Sequence, residues 1–102
     1  MKFITLALLS SLSIASAWKL TLHATDGRES TMSGRDDVKC ENVGVHPTLN
    51  VDRAHFDPRT HHHRDPTKFE LFSERDCEHF SYRNEAGDHK FSPRKIRSYR
   101  VL

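Results

Sequence analysis

The chain has 102 residues, with 16 lysines and arginines against 14 aspartates and glutamates, eight histidines and a formal net charge of +2. This near-balance excludes the strongly basic composition of a dedicated polyanion binder, and the length suits one domain with a small core. Only 35% of the residues are hydrophobic, and nothing beyond the first 17 is apolar enough to hold the protein in a membrane.

The opening segment, "MKFITLALLSSLSIASA", has a positive charge at Lys2, an apolar run over residues 3–9 and the small residues Ala15, Ser16 and Ala17. It predicts a secretory signal peptide over residues 1–17, cleaved before Trp18. Ser10, Ser11, Ser13 and Ser16 interrupt the run, which falls short of the roughly 20 apolar residues that span a bilayer. The chain after cleavage, residues 18–102, carries 15 basic and 14 acidic groups and keeps all eight histidines. Imidazoles titrate near about pH 6.5, so its charge rises in mildly acidic surroundings.

In "WKLTLH", Trp18, Leu20 and Leu22 alternate with Lys19, Thr21 and His23, the period of a strand with one buried face. Asp26-Gly27 is turn chemistry, and Gly34 marks a second turn after a short polar segment. The stretch with Cys40, Val43, Gly44, Val45 and Pro47 reads as a strand or an irregular connection. "LNVDRAHF" alternates again through Leu49, Val51 and, less regularly, Arg53.

Asp57-Pro58 and Asp65-Pro66 bound a linker over residues 58–66, because proline cannot donate to a ladder and biases the residue before it away from helix. Beyond it, Phe69 and Leu71, then Phe80 and Tyr82, alternate on either side of a polar turn. "NEAGD" is a further turn, and "KIRSYRVL" reads as one basic, partly apolar closing strand. A short helix at "SERDCEHF" is an alternative, with Ser73 as cap and Asp76 at capping-box distance. No segment keeps helical spacing for three turns, so the chain is predicted to be all-β, with halves over residues 18–57 and 67–102.

Each half contains one cysteine. In an oxidising secretory route, Cys40 and Cys77 are most simply a disulfide, contributing about 4 kcal/mol on a chain-entropy estimate. Two free thiols or an intermolecular link are the alternatives.

The second half, from "FELFSERDCEHFSYRN" through "RKIRSYRVL", resembles a Greek-key motif of the βγ-crystallin superfamily, in which an aromatic, acidic-turn segment opens the motif and an "IRS" type strand closes it. The whole chain is similar to small secreted fungal proteins with a Trp-led first strand and one disulfide. In the family, two motifs pair into one wedge-shaped β-sandwich, so the resemblance implies two Greek-key-like halves in one small domain. It covers the second half more fully than the first. Pro93 and Arg94 stand where the family's calcium site has Asn or Asp, and Arg97 stands at its hydroxyl position, which argues against calcium.

Three sets of residues are candidates for function. Arg94, Lys95, Arg97 and Arg100 form the densest basic cluster and are the candidate anion site. On a single strand, Arg94 and Arg100 would face away from Lys95 and Arg97. Limited aromatic interleaving and near-zero net charge argue against nucleic acid, and a cationic edge that discourages strand pairing is the bland alternative.

His61, His62 and His63, with His55, Asp57 or Asp65 completing the shell, are the candidate metal ligands. Adjacent residues on an extended chain point in opposite directions, so a solvated loop is the favoured reading and no cofactor is expected. His79, His89, Glu74, Glu78 and Arg83 include the residue types of a small secreted hydrolase such as a ribonuclease, without a diagnostic spacing.

Together these features predict a secreted, non-enzymatic effector or toxin-like binding protein acting at an extracellular, host or cell-wall surface. Anionic polysaccharide or lipid at acidic pH is the expected partner class. An extracellular metal binder that uses the histidine loop, or a small hydrolase, is the alternative.

Overall fold

The computed structural model describes residues 17–58 and 66–102. The expected signal peptide, up to residue 16, and the run His61, His62 and His63 lie outside the described residues. The strands are β1 (Trp18–Ala24), β2 (Glu29–Gly34), β3 (Val38–Asn42), β4 (Leu49–Asp57), β5 (Lys68–Phe72), β6 (Phe80–Glu85), β7 (Gly87–Ile96) and β8 (Ser98–Val101). They form two four-stranded antiparallel sheets, ordered β2-β1-β4-β7 and β3-β8-β5-β6.

These two orders are one pattern used twice. Strands one, two and four of each half pair in the order second-first-fourth, and the third strand crosses to the sheet of the other half. Thus β3 pairs with β8, and β7 pairs with β4. The halves are Greek-key-like in sequence order but interlocked in space, forming one sandwich.

The core lies between the sheets. Leu20, Leu22, Val51, Ala54 and Phe56 from one sheet meet Phe69, Leu71, Tyr99 and Val101 from the other, with the Phe56 and Phe69 ring centroids 5.5 Å apart. Full burial of a large apolar side chain of this kind contributes about 1.5–3 kcal/mol. Trp18 is buried at the head of β1, and its indole N–H donates to the Asp36 carbonyl at 2.8 Å. Gly34 makes room for it, since a Cβ there would lie 3.0 Å from the indole ring.

Four local expectations are corrected. The polar segment before Gly34, read as a short stretch ending in a turn, is strand β2 with Gly34 as its last residue; its alternate residues are exposed and it pairs with β1 along its whole length. In β4, a bulge between Val51 and Arg53 shifts the register, so Ala54 and Phe56 are buried and Arg53 faces outward.

"KIRSYRVL" is two strands. The chain leaves the first sheet after Ile96, turns at Arg97 and enters the second at Ser98. In addition, β7 is an edge strand while β8 lies between β3 and β5, so only part of the basic cluster sits on an edge. The helix alternative gives way to a single 3-10 turn, Arg75–Cys77, in which Ser73 caps nothing: its hydroxyl donates to the His79 carbonyl instead.

Candidate anion-binding site

The disulfide joins Cys40 of β3 to Cys77 of the 3-10 turn, tying the strand that the first half lends to the second sheet to a loop of the second half.

The four basic residues near the C terminus do not act together. Arg94 is a structural clamp: its guanidinium lies over the Phe91 ring at 5.1 Å and the Tyr82 ring at 5.7 Å. It donates to the Ser81 carbonyl at 2.8 Å, the Ser92 carbonyl at 3.0 Å and Ser92 Oγ at 2.8 Å, closing β7 against β6 of the other sheet. Arg100 lies 3.5 Å from Glu70, whose carboxylate is covered and receives Arg83 at 3.0 Å. Lys95 is exposed on β7.

Arg97 differs from the other three because it sits at the crossover between the sheets. Its backbone is held on both sides, its N–H donating to the Phe72 carbonyl at 2.9 Å and its carbonyl accepting from Val43 at 2.8 Å. Its Nη1 lies 3.6 Å from Glu74 Oε1, longer than a hydrogen bond, and its Nε is buried without a hydrogen-bond partner among the described residues.

Arg97 lines a cavity of about 150 Å3 with Arg75, His46 and Thr48. Val43, Val45 and Ile96 supply its apolar wall. Neither the Arg75 guanidinium nor the His46 imidazole has a hydrogen-bond or ion-pair partner among the described residues. The residues that line the cavity therefore include two arginines and a histidine, and the Glu74 carboxylate lies 3.6 Å from one of the arginines.

The chain around the cavity is fixed. Asp76, Cys77 and His79 adopt left-handed backbone conformations, with φ near 59°, 57° and 59°, which cost energy in non-glycine residues. Asn42 exchanges two hydrogen bonds with Asp76, and Ser98 Oγ accepts from the Cys77 N–H at 2.9 Å while donating to the Glu74 carbonyl. These contacts and the disulfide hold Arg75 in place.

Between the lining residues His46 and Thr48, the Pro47 carbonyl accepts from Arg28 at 2.8 Å, and Arg28 also donates to Asp26 at 2.8 Å. Hydrogen bonds from the Arg28 backbone and side chain hold the Asp26 carboxyl below its usual range.

The other candidates do not converge. His55 lies 3.7 Å from Asp88, which is already engaged by Arg53 at 2.8 and 3.1 Å. The Arg53 hydrogen bond lowers the Asp88 pKa. His23 pairs with Glu29 at 3.1 Å, and the described residues contain no group of three or more metal-ligating side chains.

His89 Nε2 lies 3.0 Å from the Glu85 carbonyl, and Glu74 and Arg83 have the ionic partners given above. Arg75 and His46 carried no signal in the sequence: they lie in separate loops about 30 residues apart, and only the fold brings them to Arg97.

Comparison of the chain with known protein families, with curated proteins and with solved structures finds no match.

Proposed function

We propose that this is a secreted, non-enzymatic binding protein of effector or toxin-like type that engages an acidic polysaccharide at an extracellular, host or cell-wall surface, most strongly under mildly acidic conditions. The observation that carries the proposal is the convergence of Arg75, Arg97 and His46 on one cavity, with Glu74 as the neighbouring carboxylate. A recessed site suits one unit of a polymer better than a flat lipid surface. Kinship with βγ-crystallin-like secreted fungal proteins belongs to the same reading; the two motif-sized halves paired in one sandwich bear on its fold alone.

The pH dependence follows from charge. The chain after the signal segment is nearly neutral when its histidines are neutral and gains positive charge as they protonate, and exposed charges of this kind are screened by salt. Binding to an acidic polysaccharide and to acidic lipid vesicles, measured at about pH 5.5 and about pH 7.5, tests the proposal. The native protein should bind the polysaccharide more tightly at the lower pH, less so in high salt, and less so when His61, His62 and His63 are replaced by Ala. Equal affinity at both pH values, or binding to vesicles alone, overturns it.

A further inference from the structure

We infer that the cavity lined by Arg75, Arg97 and Val45 is a pocket for a carboxylate carried on a compact six-membered ring, the chemistry of a uronate unit. This rests on the reading of the protein as a binder of acidic polysaccharide, and it names the group recognised.

The size comes first. An enclosed cavity of about 150 Å3 accommodates benzene, and this pocket of about that volume opens to solvent, so it takes the carboxylate and one side of a single ring and leaves the remaining hydroxyls in water. The walls then divide the ligand in two. Val43, Val45 and Ile96 give the lining its apolar part, suited to the C–H face of a ring, while Arg75, Arg97 and Thr48 bring side chains that carry donors for its polar edge.

A guanidinium presents a planar fork that matches a planar carboxylate, and pairing of this kind is stronger than a hydrogen bond between neutral groups. Arg97 already has a carboxylate beside it. Glu74 Oε1 stands 3.6 Å from Arg97 Nη1, and the two side chains are 52% and 38% exposed. A loose, solvated contact of this kind contributes little, so an entering carboxylate can displace it. The backbone of the loop that carries Arg75 is held by the Asn42, Ser98 and Cys40 contacts, so binding has to order the Arg75 side chain but not its loop.

The test is a titration of the isotopically labelled native protein, followed through its backbone amide signals, with free glucuronate, glucose, inorganic phosphate and a polyuronate. Glucuronate should shift the amides of Val43, Val45, Thr48 and Arg97 and saturate, glucose should not, and phosphate should bind at least ten-fold more weakly. Arg75→Gln, at an exposed position, should weaken glucuronate at least ten-fold with an unchanged melting temperature. Arg97→Gln should do the same, and Lys95→Gln should have no effect.

Silence of these amides on adding glucuronate, equal binding by Arg75→Gln, or phosphate binding as tight as glucuronate overturns the inference. If the polyuronate still binds while these amides stay silent, the pocket fails and the broader reading survives. If glucuronate fills the pocket but no polymer binds, the pocket stands as a site for a free acid and the surface reading fails.

Discussion

Glu70 is the covered carboxylate among the described residues, 8% exposed, and two guanidiniums from neighbouring strands meet it. Arg83 and Arg100 flank it in register, one from β6 and one from β8. The Arg100 Nε is buried without a hydrogen-bond partner among the described residues, so Arg100 depends on Glu70. Glu70→Gln keeps the volume and removes the charge; it should cost about 1–3 kcal/mol and lower the melting temperature by at least about 4 °C. Arg83→Gln, at a more exposed partner, should cost under about 1 kcal/mol, and thermal melts of both variants give the comparison.

At the same scale, Asp88 sets a pH dependence. Arg53 lowers its folded pKa below the unfolded value, so the associated stability is present above about pH 4 and is lost as pH falls through the folded pKa. The melting-temperature difference between native protein and Arg53→Gln should therefore shrink between about pH 5 and about pH 2.5. Added salt should also reduce it, because the pair is exposed.

The decisive element is the loop between β5 and β6. Residues 73–79 contain three non-glycine left-handed conformations that the local sequence does not favour, and the rest of the molecule holds them. The disulfide is one restraint. Reduction should lower the melting temperature by more than about 10 °C, given about 4 kcal/mol in a domain of this size. Two alkylatable thiols in the native protein would contradict the bond.

Ser98 is the other restraint on that loop: it is fully buried, accepts from Cys77 and donates to Glu74. Ser98→Ala leaves both groups unpaired, at about 1–3 kcal/mol. Since the same loop carries Arg75, this variant should also weaken anion binding, whereas Lys95→Gln should not.

At the scale of the whole molecule, the exchange of third strands makes the two halves interdependent. Among the described residues, strand β3 pairs only with β8 and β7 only with β4, so each depends on the other half for its ladder. A fragment of residues 18–57 or 67–102 therefore exposes apolar faces that only its counterpart covers. Each fragment alone should show no cooperative unfolding transition by circular dichroism. An independently folded half would show that the exchange is not essential.

The strands with strict alternation were legible in the sequence. Trp18, Leu20 and Leu22 alternate because one face of β1 is buried along its length; Phe69 and Leu71 alternate on the core face of β5, although Glu70 and Phe72 on its other face are covered as well. The Cys40–Cys77 pairing was legible too, because two cysteines allow only one intramolecular bond.

The rest was decided by tertiary structure. β2 gave no periodic signal because it is an edge strand with little burial, and Met32 is its one side chain packed against the core. The bulge in β4 hid Ala54 and Phe56, since one extra residue inverts the expected phase. The crossover at Arg97 divided a stretch that local spacing reads as one strand, because the sheet a residue joins depends on its partners and not on its own side chain. Charge density pointed to the C-terminal cluster, but contact with Glu70 and with the rings of Tyr82 and Phe91 occupies Arg100 and Arg94. The cavity of Arg75, His46 and Arg97 unites residues far apart in the chain, and proximity of that kind is a property of the folded sandwich alone.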